Sequence, residues 1–210
     1  MESDIAWHPE VLSADAQKSL ESLSRQPALQ PFYLAGGTGL ALQQGHRTSV
    51  DLDFFCSGAF SEDTLLSTLQ SAAGIRVISK AFETLHLHVG MTKVSFLGYH
   101  YPLLFPLSAY SGIKVADPRD IAAMKLTAIA SRGTKRDFVD LYVLCQRYRL
   151  KELIGLFEQK FGQTEYNPVH LLKSLTYFRD ADKEPMPHML QPLTWEQVKQ
   201  FFVREAPRLR

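Results

Sequence analysis

Between Phe32 and Phe55 the chain leaves little freedom of architecture. The apolar run Phe32 to Ala35 stands between the breakers Pro27 and Pro31 and the pair Gly36-Gly37, which is the pattern of a short buried strand entering a glycine turn. Thr38 is the predicted N-cap of a helix through Leu40, Ala41 and Leu42, and Gly45 is its predicted stop. Val50 to Phe55 reads as the next strand, with Val50, Leu52 and Phe54 on one face and Asp51, Asp53 and Phe55 on the other.

Two carboxylates two residues apart on a strand sit about 6 to 7 Å apart at their Cα atoms. Like charges that close call for a cation or a shifted pKa. A hard divalent ion answers the need, because Mg²⁺ (or Mn²⁺) takes one or two protein carboxylates and fills its shell with water and phosphate oxygens. The bland alternative is a pair of surface acids on an edge strand. The preceding turn argues for the sharper reading, since a glycine turn opening a helix presents backbone N–H groups and the positive end of the helix dipole to an anion.

The remainder reads as mixed α/β followed by helices. Residues 61 to 73 look helical; 75 to 79, 84 to 89 and 93 to 97 look like strands with a tight turn at Gly90-Met91. From Asp117-Pro118 onward the segments 134 to 148, 150 to 161, 168 to 179 and 194 to 204 carry helical periodicity, as do residues 9 to 24. The expected division is an α/β domain over 1–115 and a helical domain over 116–210 that completes the cleft. With 45% hydrophobic residues in 210 there is material for a real core. A formal charge of +1 excludes a global basic field, so any nucleic-acid contact must be local. Cys56 and Cys145 have no metal or disulfide spacing. The acidic opening Met1-Glu2-Ser3-Asp4 and the lack of a long apolar run lead us to expect a cytoplasmic protein with no membrane contact.

A second constellation follows Pro118. On a helix starting there, Ile121, Lys125, Ala128 and Arg132 form one column with Met124 and Ile129 beside it, which places Lys125 on an expected core face. A buried ammonium needs a carboxylate or a phosphate. Asp137 and Asp140, one helix later, offer the carboxylate, so a structural ion pair and a phosphate-holding role are both open.

The order strand, Gly36-Gly37-Thr38, helix, Asp51-x-Asp53 resembles the signature of the nucleotidyltransferase superfamily. The longer strings Gly36-Gly37-Thr38-Gly39-Leu40-Ala41-Leu42 and Gly45-His46-Arg47-Thr48-Ser49-Val50-Asp51-Leu52-Asp53-Phe54-Phe55 resemble one branch of it, the AbiEii/AbiGii abortive-infection toxin-like nucleotidyltransferases. Lys125-Leu126-Thr127-Ala128 and Arg132 to Tyr142 are similar to the second block of that family. The resemblance implies a mixed sheet flanked by helices, with Asp51 and Asp53 as metal ligands and catalytic residues. It further implies nucleotide-binding Gly36, Gly37, Thr38, Arg47 and Ser49, and a site lysine at Lys125 with Asp137 or Asp140 as catalytic partners. The activity implied is transfer of a nucleoside monophosphate from an NTP to a hydroxyl, with RNA such as tRNA as acceptor and a cognate antitoxin as partner. A small-molecule acceptor such as an aminoglycoside would use the same site.

The chain departs from that pattern at Ser95, where superfamily members commonly carry a third carboxylate. A neutral hydroxyl cannot replace that charge, so a nucleotide-binding module without turnover is the rival expectation. Glu83 is expected at the surface, and His86 and His88 as a half-buried polar strand face without a third metal ligand. No GKS/GKT follows the glycines and no GxGxxG or GxSxG occurs, which removes P-loop, dinucleotide and serine-hydrolase readings, His46 included. The C-terminal set Tyr177, Phe178, Arg179, Phe201, Phe202, Arg204, Arg208 and Arg210 reads as helix core and solvated tail, with local RNA binding the weaker alternative.

Overall fold

Alternating burial along the second strand sets the two sides of the molecule: Leu52, Phe54 and Cys56 are buried while Asp53 and Phe55 are only half so. In the computed structural model, which describes residues 5–69, 74–162 and 166–209, the strands are β1 (Tyr33–Leu34), β2 (Leu52–Cys56), β3 (Ile75–Ala81), β4 (Thr84–Val89), β5 (Thr92–Gly98), β6 (Ser108–Tyr110) and β7 (Ile113–Val115). They form one mixed sheet in the order β3-β4-β5-β2-β1-β7-β6. β2 runs parallel to β5 and antiparallel to β1, and β1 runs parallel to β7. The helices are α1 (Ala14–Ser24), α2 (Gly36–Gln44), α3 (Glu62–Leu69), α4 (Pro118–Ser131), α5 (Lys135–Cys145), α6 (Leu150–Phe161), α7 (Pro168–Ser174) and α8 (Trp195–Glu205).

Two hydrophobic cores result. One lies between the sheet, α1 and α3 and gathers Leu20, Leu23, Leu52, Phe54, Leu85, Val94 and Phe96. The other holds the helices of the second half around Leu126, Phe138, Leu141, Phe157 and Phe202, and takes in Tyr33, Ala35 and Leu40 from the first half. β1 and α2 therefore feed both cores, and the sheet face carrying Asp53 and Phe55 looks toward the helices.

Several boundaries differ from the sequence expectation. The strand expected from Val50 begins at Leu52, and Val50 is 57% exposed, since the preceding residues leave the sheet to pair elsewhere: the Ser49 N–H donates to the Val11 carbonyl. The helix predicted over 9–24 is a short 3-10 turn, Pro9–Val11, followed by α1, which Ser13 caps. The 61–73 helix is described to Leu69, and residues 70–73 lie outside the described ones. α7 stops at Ser174 rather than 179. The hairpin β6–β7 was not predicted; its turn, Ser111-Gly112, has φ of +46° and +82°, the two-residue geometry that suits a Ser-Gly pair. No helix among the described residues is long and apolar enough to cross a membrane.

The C-terminal aromatics serve the core. Phe202 is fully buried, Phe178 and Phe202 pack on the Phe138 ring, and Arg204 and Arg208 pair with Glu205. Arg210 lies outside the described residues.

Candidate active site

The glycine turn is built for close approach. Gly36 has φ of +62°, a conformation that favours glycine, and a Cβ placed on it would lie 3.4 Å from Oδ2 of Asp53. A Cβ on Gly37 would collide with the Arg47 guanidinium. Thr38 does not cap the helix as predicted: α2 starts at Gly36, Ala35 holds the N-cap position, and Thr38 is already inside. Its hydroxyl bonds the Asp51 carbonyl and lies 2.7 Å from Ser49 Oγ. Thr38 thus ties the helix start to the segment that presents the acids. The first turn of α2 keeps backbone N–H groups without intrahelical acceptors.

These residues open onto a cavity of about 500 Å³ whose wall includes Gly36, Gly37, Thr38, Arg47, Ser49, Asp51 and Asp53 from one side and Lys125, Arg132 and Asp137 from the other. Among the described residues the carboxylates of Asp51 and Asp53 have no hydrogen bond or ion pair. The two acids of α5 are in the opposite condition. Asp140, 0% exposed, accepts from Arg47 Nε at 2.7 Å and Arg47 Nη2 at 2.8 Å, and meets His46 Nε2 at 2.8 Å and Lys125 Nζ at 2.7 Å. Asp137 accepts from Lys125 Nζ at 3.0 Å, Arg132 Nε at 3.0 Å and Thr134 Oγ1 at 2.6 Å.

Burial alone would raise the pKa of both acids, but the partners win. The Lys125 ammonium, with hydrogen bonds from Arg132 and Thr134, holds Asp137 down to about 2. Lys125 and Arg47, with hydrogen bonds from Arg47 and His46, hold Asp140 well below the usual carboxylate range. In turn Arg47, which burial would lower, is raised by Asp140. Asp140 therefore stays ionised, out of the cavity, with both oxygens occupied, which is the arrangement of a group that positions others. Asp137 shares that condition at the cavity edge.

Lys125 is buried as expected, yet its column does not face the core. Met124, Lys125, Ala128 and Arg132 line the cavity, and the core stripe of α4 is Ile121, Ala122, Leu126 and Ile129. Arg132 is largely exposed and close enough for Asp53 to raise its pKa, after the hydrogen bond to Asp137.

Ser95 stands directly beside Asp53 in the β2–β5 register, and His86 stands beside Ser95 across β4–β5, so the three form one row on the cavity face. His86 belongs to the site and not merely to a polar strand face; sequence reasoning noted its alternation but had no register to place it next to Ser95. Lys93 and Tyr99 also line the cavity. Glu83 does not reach it. Instead of lying at the surface, Glu83 is buried over Gly98 with φ of +48°, paired to His100. His46, set aside in the sequence as a triad candidate, proves to be a ligand of Asp140; nothing in the local pattern pointed across 94 residues to α5.

Among the described residues no cluster of three or more His, Cys, Asp and Glu side chains forms. What the site has is a pair of uncompensated carboxylates, a hard-oxygen donor set suited to Mg²⁺ with water and phosphate completing the shell.

A glycine turn over paired acids on a mixed sheet, closed by a lysine-bearing helix, defines a nucleotidyltransferase. The chain belongs to the family described as "Nucleotidyl transferase AbiEii toxin, Type IV TA system", which matches residues 18–86 and 93–209. It is 36% identical over 201 residues to an uncharacterised protein of Aquifex aeolicus, covering 93% of this chain and 96% of that one. In structure it is similar to JHP933 of Helicobacter pylori, at 19% identity and a TM-score of 0.56 over 97% of this chain and 93% of the other. MenT4, a nucleotidyltransferase toxin of Mycobacterium tuberculosis, gives 17% identity and a TM-score of 0.56 over 94% and 87%. These likenesses show the nucleotidyltransferase fold, and the family match makes the chain a nucleotidyltransferase of a toxin–antitoxin type.

Proposed function

We propose that the chain transfers a nucleoside monophosphate from an NTP to an acceptor hydroxyl in a metal-dependent reaction, with RNA such as tRNA as the acceptor. The observation that carries this is the contrast within one cavity: Asp137 and Asp140 are saturated by cations, while Asp51 and Asp53, beside the glycine turn, are not. Asp51 and Asp53 would hold Mg²⁺ (or Mn²⁺), which when bound neutralises phosphate charge and draws the acceptor oxygen toward ionisation.

The chain's own groups supply the rest. Backbone N–H groups of Gly36, Gly37 and Thr38 cradle the polyphosphate at the head of α2. Ser49, held by Thr38, adds a hydroxyl to the same wall. Lys125 and Arg132, each already bonded to Asp137, place positive charge where pyrophosphate gains negative charge on leaving. Arg47, fixed by Asp140, braces Gly37 and contributes charge to the cradle. The acceptor oxygen forms a bond to the α-phosphorus, the bond to the bridging oxygen breaks, and the hydroxyl proton passes toward the acidic side of the cavity. Asp137 and Asp140 act as positioning residues for Lys125 and Arg47. The cell compartment that fits is the cytoplasm, where NTPs and tRNA meet, and a cognate antitoxin is the expected partner.

Ser95 favours a second reading, a nucleotide-binding module without turnover, because the position next to Asp53 lacks a charge. One experiment separates the readings. Purified protein is incubated with Mg²⁺, each α-labelled NTP, and total tRNA or an aminoglycoside. Label on RNA supports the proposal, label on the aminoglycoside moves the acceptor to a small molecule, and nucleotide binding without label transfer to either establishes the inactive module. The structure of ANT(2″)-Ia with adenylyl-2″-tobramycin, of TM-score 0.53 and 11% identity over 73% of this chain and all of that one, is the reason the aminoglycoside arm belongs in the test.

A further inference from the structure

Behind the Asp140 network lies a second cavity, of about 390 Å³, that the transfer reaction does not use. Its wall joins α5, through Tyr142, Val143 and Gln146, to the 189–193 segment and to His46. That segment is strapped to the site loop: the Thr48 N–H donates to the His188 carbonyl, and the Leu190 N–H donates to the His46 carbonyl at 2.9 Å. The cavity and the catalytic loop thus share one stretch of backbone.

His46 is the telling residue. It is 0% exposed and meets Asp140 through Nε2 at 2.8 Å, while its Nδ1 is buried without a partner among the described residues. Asp140 is an ionised acceptor, so Nε2 carries the proton and Nδ1 of the neutral ring is an acceptor lone pair. Leaving such a group unpaired costs about 1–3 kcal/mol, and a ligand bringing an N–H donor removes that cost. The neighbouring amides offer both polarities. Gln146 and Gln191 donate through Nε2 to protein carbonyls, leaving their Oε1 atoms to accept, and Gln197 accepts through Oε1, leaving Nε2 to donate. Leu193 and Met189 add apolar surface, no carboxylate lines the wall, and Arg147 stands at its exposed edge.

From this set we infer that the second cavity is a binding site for a nucleobase, one whose exocyclic or ring N–H donates to His46 Nδ1 while carboxamides meet its other edge atoms. Glutamine amides match base edges because they carry a donor and an acceptor side by side, and Arg147 is placed for an attached phosphate. The base comes either from a free nucleoside or from an unpaired position of an RNA. Occupancy is felt in the transfer site, since the ring that receives the base is the one bonded to Asp140, which holds Arg47 and Lys125. Base binding here is independent of nucleotidyl transfer and stands or falls separately from it.

The test uses the full chain with ¹⁵N-labelled histidine, without Mg²⁺ or NTP. Adenosine, guanosine and a short single-stranded RNA are added in separate arms while the His46 ring nitrogens are observed by NMR. The expected result is a saturable shift of the His46 Nδ1 resonance with at least one probe, lost in Gln146→Trp, where an exposed helix residue at the cavity wall is enlarged without touching the core, and also in Leu193→Trp. A shift with nucleosides assigns the site to free nucleoside, and a shift with RNA alone assigns it to the acceptor. No shift with any probe overturns the inference, as does a shift that persists in Gln146→Trp.

Discussion

Asp140→Asn is the substitution whose consequence can be worked out most fully. The change is nearly isosteric, so its effect is the loss of one buried negative charge. In the wild-type chain that charge serves Arg47, 3% exposed, through two bonds of 2.7 and 2.8 Å, and Lys125 at 2.7 Å. After substitution Lys125 retains Asp137 at 3.0 Å, whereas Arg47 keeps only the Thr48 carbonyl at 2.9 Å. Removing one member of a buried charge network costs about 3–5 kcal/mol, because the partner remains desolvated and unpaired. Against a typical total of about 5–15 kcal/mol, that is a large share. For a domain of this size each kcal/mol moves Tm by about 2–4 °C, so a drop on the order of 10 °C is expected, with a matching fall in the urea midpoint. Arg47 released from Asp140 also no longer braces Gly37, so transfer falls in whatever protein stays folded. The triple change Asp140→Leu, Arg47→Met, Lys125→Met, which removes all three charges, should unfold less readily than Asp140→Asn alone. A loss below about 1 kcal/mol in Asp140→Asn, or a triple variant weaker than the single one, refutes the view of Asp140 as the hub of a buried ion network.

Four further outcomes follow from the same structure. Asp53→Asn should leave thermal stability unchanged or slightly raised, since its carboxylate has no partner, while label transfer falls by about a thousandfold, equivalent to the several kcal/mol a metal-held transition state contributes. Gly37→Ala forces a methyl group against the Arg47 guanidinium and should cost about 1–3 kcal/mol in denaturant unfolding, the range for overpacking a filled site. Asp137, depressed from 3.8 to about 2 in the fold, contributes stability that is complete above pH 4 and disappears as pH falls from about 4 to about 2; the loss, about 2 kcal/mol, is readable as a smaller acid-side slope in Asp137→Asn. Ser95→Asp restores a charge beside Asp53 and should tighten Mg²⁺ binding by about tenfold in a calorimetric titration.

How much of this was legible beforehand differs from one element to the next. The parity of β2 was legible, because Leu52 and Phe54 against Asp53 and Phe55 is a period-two pattern that a one-residue slip would destroy. The Lys125 partnership with Asp137 and Asp140 was legible too, since helical spacing and the cost of a buried ammonium both demanded it. Three features were not. The role of Thr38 depended on where α2 starts, and glycine at φ of +62° let the helix begin two residues earlier than a capping side chain would indicate. The row Asp53, Ser95, His86 depended on interstrand register, which no local window contains. His46 and Arg47 met Asp140 across more than ninety residues, and the sequence marked Arg47 as a phosphate ligand without showing that its guanidinium is first engaged by a carboxylate.

The account rests on Asp51 and Asp53 holding a divalent ion beside the Gly36-Gly37 cradle. Calorimetric titration of Mg²⁺ with each ribonucleoside triphosphate into the wild-type chain and into Asp51→Asn/Asp53→Asn measures this most directly. Saturable uptake of at least one metal–nucleotide pair by the wild type, absent from a double variant of unchanged Tm, is the predicted result. Equal uptake by both proteins, or none by either, contradicts the assignment of the two aspartates.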